Sequence, residues 1–399
     1  MKNAIYGQSG GPTSVINSSA YGVITQLRKY AKDVDKIFCM HYGIEGFLNE
    51  NIIDTSVFSD KDLEKLLSTP GAAFGSNRFK LKNFEDDEET YKKIFNLFRK
   101  YEITYFFYNG GNDSMDTIAK ISAYAKKINY ELYAIGVPKT IDNDLVYFDH
   151  TPGYGSAIKF IANAVSQVYF DDHSYQKGRV NIVELMGRNA GFLTAGSKLA
   201  ELNGAEVDLI YVPERNFNID EFLAKVYDIY KVKNRCLVCV SEGIHDENNK
   251  LISTAKSEFD SFGHSQLGGV GAFLSNLVTQ KLGIKSRFIE LSLLQRADTN
   301  IVSSVDQKEA IQCGRKAVDA SIKHNTGKVI TIIRTSNNPY RVKYKYTDIA
   351  KVALQEKVLP DTFINETNDN ITDDFIEYAK PLIGKENEKL IFSALKINN

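Results

Sequence analysis

The chain has 399 residues, with 49 Lys and Arg against 50 Asp and Glu for a formal charge of −1, and is 43% hydrophobic and 25% charged. That length calls for two domains or one large domain with insertions, and the near-zero charge excludes the sequence-independent attraction on which nucleic-acid binders depend. No run approaches the roughly eighteen apolar residues of a membrane span, and the opening MKNAIYGQSGG has no apolar leader core, so a cytoplasmic protein with no membrane or nucleic-acid partner is expected.

Short β-rich runs alternate with stretches of helical period, the signature of βαβ units and a parallel sheet. Residues 2–6 (KNAIY) read as a strand that runs into the Gly-rich turn GQSGGPT. Ile16, Ala20, Val23, Ile24 and Leu27 then recur at helical spacing. The charged stretch FEDDEETYKK at 84–93 reads as a solvated helix face. ITYFFY at 103–108 is the next strand; it breaks at NGGND, and Met115, Ile118, Ile121 and Ala125 mark the following helix. LYAIGV at 132–137 is a third strand, ending in PKTIDND, and HTPGYG at 150–155 marks a crossing from one α/β lobe to another. Further strands are predicted at 180–185, 207–212, 235–240 and 328–334. Cys236 and Cys239 form a C-x-x-C inside the apolar run CLVCV, with Cys39 and Cys313 elsewhere. No second Cys or His pair completes a metal site, so they read as buried strand thiols in a reducing compartment.

In a parallel sheet, ligands gather at the carboxyl ends of strands, where helix N-termini offer unpaired N–H groups and partial positive charge suited to phosphate. Gly7–Thr13, Asn109–Ser114 and Pro138–Asp144 all lie at such ends. One Gly-rich loop is as readily a tight turn, but three with embedded charges point to an anion. PKTIDND packs Lys139, Asp142 and Asp144 into seven residues. It is either an Asx-rich turn capping the next element, or a site whose charges are balanced by metal, hydroxyl or phosphate.

GGNDS resembles the phosphate-cradling GGDGS/T loop shared by phosphofructokinases, NAD kinases and diacylglycerol kinases, and TIDND narrows the resemblance to the phosphofructokinases. GSNRF (75–79), RVNIVELMGR (179–188), SEG (241–243) and SRFIELSLLQR (286–296) follow in the family's order, carrying the resemblance from about residue 3 to near 320. It implies an α/β phosphofructokinase fold of two similar Rossmann-like lobes with parallel sheets. Residues 1–155 plus about 297–345 would form the phosphoryl-donor lobe, and 156–296 plus about 346–399 the sugar-phosphate lobe.

Two positions resemble the pyrophosphate-dependent branch: Asp113 and Lys139 stand where ATP users typically have glycine. By the resemblance, a carboxylate at 113 stands where the α-phosphate of ATP must sit. Two unit charges about 4 Å apart at an effective dielectric of about 20 repel by roughly 4 kcal/mol. Lys139 would bring positive charge toward the transferred phosphoryl, with an Asp113–Lys139 salt bridge supporting the loop as the structural alternative. The implied activity is reversible transfer of a phosphoryl group from pyrophosphate to the C1 hydroxyl of fructose 6-phosphate, with Mg²⁺ as cofactor. ATP as donor is the alternative. A non-catalytic regulatory subunit is a further one, although Asp142 and the arginine set stand intact.

The resemblance also assigns roles. Asp142 is implied as the general base, with Lys139 and Asp113 completing the catalytic set. Gly10, Gly11 and Arg78 would bind the donor. Thr140, Ile141, Asp142, Arg179, Met186, Gly187, Arg188, Glu242, Arg287 and Arg296 would bind the sugar phosphate, with guanidinium groups suited to its 6-phosphate. Asn112 stands where the family usually has the aspartate that binds magnesium. Its amide oxygen can still coordinate the ion, directly or through water, but contributes no charge, so the metal would lean on Asp142 or Asp144 and on the phosphate oxygens. Arg179 and Arg287 resemble arginines donated across a subunit interface, implying a homodimer or homotetramer. Leu293 replaces a frequent His or Tyr, and ADTN follows Arg296 in place of a glycine pair.

Overall fold

Strands covered on both faces read as continuous apolar runs, and in ITYFFYNG every residue from Ile103 to Gly110 is buried. The structure, a computed structural model, describes residues 2–252 and 269–384. Along the chain its strands are β1 (Asn3–Gln8), β2 (Ile37–Met40), β3 (Ile52–Asp54), β4 (Ile103–Gly110), β5 (Tyr133–Pro138), β6 (Val180–Leu185), β7 (Leu209–Tyr211), β8 (Cys236–Ser241), β9 (Ser286–Glu290), β10 (Lys328–Asn337) and β11 (Tyr340–Asp348). They divide between two compact units; the first takes the chain up to Tyr154 and again from Arg296 to Lys357.

The first unit holds a sheet in the order β11-β10-β5-β4-β1-β2-β3. Its inner strands are parallel, whereas β3 runs antiparallel to β2 and β11 antiparallel to β10. The expectation of a parallel sheet therefore holds for the centre and not for the edges. Only two residues separate β10 from β11, and a parallel return needs a crossover of about a dozen or more. Along β11 the exposed Arg341, Lys343 and Lys345 alternate with half-buried residues, which keeps this edge from pairing with other chains.

Period-two alternation sorts the central strands onto two cores. Ala4, Tyr6, Tyr105, Phe107, Ile135 and Val137 pack with Val23 and Ile24 of the helix Ile16–Lys29 and with Ala317 and Val318 of the helix Ser304–Ile322. Ile5, Phe106, Tyr108 and Ala134 pack on the other side with Phe95 and Phe98 of the helix Glu88–Lys100 and with Ile118 and Ile121 of the helix Asn112–Lys127. The charged stretch at 84–93 supplies the start of the first of these. Asp87 caps it, accepting from the Thr90 N–H, and Glu88 and Glu89 sit in its first turn where the helix dipole favours anions.

A buried ion cluster ties the segment after PKTIDND to this scaffold. The His150 ring lies 2.7 Å from Asp149 Oδ1 and 2.6 Å from Glu309 Oε2. Tyr340 donates to Glu309 (2.6 Å), Arg334 donates to Asp149 (3.0 Å), and Lys357 donates to the Asp149 carbonyl (3.0 Å). Burial alone would lower the His150 pKa, but Glu309 and Asp149 more than reverse this and carry it up to about 9. A histidine raised from about 6.5 contributes stability that is fully present below pH 6.5 and lost as pH rises through 9, an effect on the order of 3 kcal/mol. Lys357, lowered to about 8 by burial, acts in the opposite sense above pH 8, so the difference between proteins isolates the histidine. His150→Asn should therefore be most destabilising near pH 6 and progressively less so toward pH 9.5 in thermal denaturation. A penalty independent of pH would contradict the charged-histidine account.

The second unit is described from Gly155 to residue 252, from 269 to Gln295 and from Val358 to 384. Its sheet, β7-β8-β6-β9, is parallel throughout. Val180, Ile182, Val238 and Val240 pack against Phe222 and Val226 of the helix Ile219–Lys233 and Leu274 and Val278 of the helix Val270–Leu282. The buried Glu184 of β6 accepts from the Gly269 and Gly271 N–H groups (3.0 and 2.7 Å), placing a carboxylate at the latter helix's positive end. Cys236 and Cys239 lie buried in β8 as free thiols. Among the described residues, no helix is long and apolar enough to cross a membrane.

Candidate active site

In the first unit, β1, β4 and β5 are neighbours in register, with Gln8 opposite Asn109 and Gly110 opposite Pro138. The three Gly- and charge-rich loops therefore leave the sheet side by side. Gly10 adopts φ +76°, open to glycine without strain. Its N–H donates to the Asn77 carbonyl (2.9 Å), and its carbonyl accepts from Ser76 Oγ (2.7 Å). The buried Lys139 donates from Nζ to the Gly11 carbonyl at 2.7 Å. A Cβ on Gly11 would stand 2.6 Å from Arg296 Nη1, so a larger residue there would displace the guanidinium from the loop.

Burial lowers the Lys139 pKa to about 8; Asp142 and Asp144 oppose this, while Arg296 and Arg78 reinforce it. Three cations and two carboxylates thus lie within electrostatic reach of one another. Asp142 is raised above the usual carboxylate range by burial, with Lys139 pulling against the shift. Its N–H donates to Thr140 Oγ1 (3.0 Å), whose hydroxyl lies 3.4 Å from Asp142 Oδ2, and Ile141 between them is buried. Asp144 is pushed up to about 7 by burial and then by the Asp142 charge. Asn143, at φ +57°, turns the chain between the two aspartates, and Lys357 donates to its side chain (3.3 Å) and to the Phe148 carbonyl (3.1 Å).

Asn112 opens the helix Asn112–Lys127, and Asp113 lies in its first turn. Asn112 Nδ2 donates to Asp144 Oδ2 at 3.3 Å, which leaves Asn112 Oδ1 and Asp144 Oδ1 buried with no hydrogen-bond partner. Two adjacent, unsatisfied hard oxygens fit Mg²⁺, which takes one or two protein oxygens and completes its shell with phosphate and water. Among the described residues, no group of three or more His, Cys, Asp or Glu is arranged to hold a metal.

The second unit gathers a separate set. β6 and β8 end in register at Leu185 and Ser241, which sets Met186, Gly187 and Arg188 beside Glu242. The Gly187 N–H donates to Glu242 Oε1 (3.3 Å), Ser241 Oγ donates to the Gly187 carbonyl, and the Met186 N–H donates to Gln295 Oε1 (3.3 Å). Arg179 and Arg287 lie elsewhere. Arg179 precedes β6, 3.9 Å from Asp172, and Arg287 is the second residue of β9, 3.9 Å from Asp171. At some 3.3 Å per residue, the length of β6 separates them from Met186 by about 20 Å. Arg296, grouped by sequence with the sugar-phosphate residues, is placed by the structure against Gly11 in the first unit. Sequence reasoning also missed Gln8, Asn17, Gln295 and Lys357. Gln8 and Gln295 lie inside GQSGGPT and SRFIELSLLQR, but neither motif gives them a role, and Asn17 and Lys357 carry no local motif; each acts through contacts distant in sequence.

The chain belongs to the phosphofructokinase family, whose model matches residues 3–321. It is similar to the pyrophosphate–fructose 6-phosphate 1-phosphotransferase of Xanthomonas campestris pv. campestris (strain B100), 41% identical over 387 residues that cover 96% of this chain and 92% of that protein. A protein of the same name from Rhodospirillum rubrum is 40% identical, covering 96% and 94%. Among solved structures, the pyrophosphate-dependent phosphofructokinase from Marinobacter aquaeolei superposes with a TM-score of 0.87 at 37% identity, covering 99% of this chain and 95% of that one. The α/β phosphofructokinase fold expected from the motifs is the fold found.

Proposed function

We propose that this protein transfers a phosphoryl group from pyrophosphate to the C1 hydroxyl of fructose 6-phosphate, reversibly, giving fructose 1,6-bisphosphate and phosphate. The observation that carries this reading is the buried Lys139 ammonium, fixed on the Gly11 carbonyl and followed three residues later by Asp142. The Gly10–Gly11 backbone with Arg78 and Arg296 would hold pyrophosphate, and Lys139 would neutralise charge on the group in flight. Asp142 takes the C1 hydroxyl proton as the C1 oxygen bonds to phosphorus, and the bridging P–O bond breaks to release phosphate. A carboxyl raised by burial is the better matched base near neutral pH. Asn112 and Asp144 would hold Mg²⁺, which when bound supplies charge stabilisation to the phosphate oxygens.

Met186, Gly187, Arg188 and Glu242 would hold the sugar. The distance of Arg179 and Arg287 from that set supports their donation to a neighbouring subunit, in a cytoplasmic homodimer or homotetramer. The edge strand β9, with Phe288 exposed beside Arg287, supports such pairing. Phosphorus NMR of protein mixed with pyrophosphate, fructose 6-phosphate and Mg²⁺ should show pyrophosphate replaced by equal amounts of phosphate and sugar 1-phosphate ester. Sedimentation of the same preparation should show an oligomer. An unchanged pyrophosphate signal would sink the reading.

A further inference from the structure

We propose that Asn17 is a donor-positioning residue: it shapes the segment Thr69–Asn77 that presents Arg78 and frames Gly10. The inference rests on the donor role given above to Gly10, Gly11 and Arg78. Asn17 is 2% exposed, near the start of the helix Ile16–Lys29. Its Nδ2 donates to the Thr69 carbonyl (2.9 Å) and the Gly71 carbonyl (3.0 Å). Its Oδ1 accepts from the Ala73 N–H (2.9 Å) and from Gln8 Nε2 (3.1 Å). An amide has two donors and two acceptor sites, and all four are used.

Gln8, fully buried at the end of β1, extends the row. Its Oε1 accepts from the Phe74 N–H (3.3 Å), and its Nε2 reaches Tyr6 Oη (3.4 Å), to which Asn109 Nδ2 also donates (2.9 Å). One buried polar row thus runs beneath the first strand's loop, the GGND loop and the Arg78 segment. Thr69–Asn77 forms no helix or named strand of its own, so its backbone groups need partners from elsewhere, and Asn17 supplies three of them. From the other side, Ser76 and Asn77 bond the carbonyl and N–H of Gly10. The segment is thereby cast against the donor loop before any donor arrives.

Asn17→Asp keeps the shape but turns both donors into acceptors facing two carbonyls. The pyrophosphate KM should rise by about tenfold or more, the scale of one or two lost hydrogen bonds. The fructose 6-phosphate KM should stay within about twofold, a split that general loosening of the fold would not give. A pyrophosphate KM that does not move, or moves in step with the sugar KM, overturns the proposal. Should Asn17→Asp not fold, Asn17→Ala is read by the same split. Hydrogen exchange on the wild-type protein tests the frame without any substitution. The Ala73 and Phe74 amides should be protected before pyrophosphate is added, and protection gained only on adding it overturns a preformed frame. A wild type that turns over ATP and not pyrophosphate would defeat the donor assignment, while the exchange result still decides the frame.

Discussion

Asp142→Asn should lower kcat by about 10²–10⁴, the usual loss for a general base, and should leave the fructose 6-phosphate KM nearly unchanged. The amide preserves the side chain's shape, and the backbone bond from residue 142 to Thr140 does not depend on it. What it cannot do is accept the sugar proton. The same group must return that proton in reverse, so the loss should appear in both directions when initial rates are measured from either side. Asp142 also opposes the lowering of the Lys139 pKa, so the substitution removes a counter-charge from the buried ammonium as well. A variant with near-wild-type kcat would take Asp142 out of the base role and make Asp144 the next carboxylate to test.

The second large effect concerns the donor. Asp113→Gly removes a carboxylate from the first turn of the helix Asn112–Lys127 and should let ATP bind measurably. The relieved repulsion is roughly 4 kcal/mol, about a thousandfold in affinity. Adding Lys139→Gly should then cut pyrophosphate turnover sharply. Its Nζ is bonded to the Gly11 carbonyl, so its loss removes both the charge and a support of the loop. ATP binding to Asp113→Gly that calorimetry cannot detect would contradict the charge-exclusion account.

Much of this was legible where the chemistry is local. β4 and β5 are continuous apolar runs, and GGNDS and PKTIDND follow them directly, so strand, loop and charge could be read together. The two-residue connection after β10 and the alternation in β11 also lie in the sequence. Yet β3 is only three residues long and β11 alternates charged with half-buried residues in place of an apolar run, so neither antiparallel edge stands out in the sequence. Long-range placement was not legible. Nothing near Arg296 says that its guanidinium packs on Gly11, and nothing near Lys357 says that its ammonium clasps Asn143. Asn112 was read as a weakened magnesium ligand, but only the fold shows its oxygen left unsatisfied beside that of Asp144. Asn17 looks like one more polar residue at a helix start until its four partners are seen.

Initial rates of one pure preparation with pyrophosphate and with ATP, each at saturating fructose 6-phosphate and Mg²⁺, test the central claim most directly. With Asp113 and Lys139 in place, pyrophosphate should support turnover, and kcat/KM for ATP should be lower by roughly a thousandfold, as the charge repulsion at Asp113 requires. ATP matching or exceeding pyrophosphate in kcat/KM would contradict it.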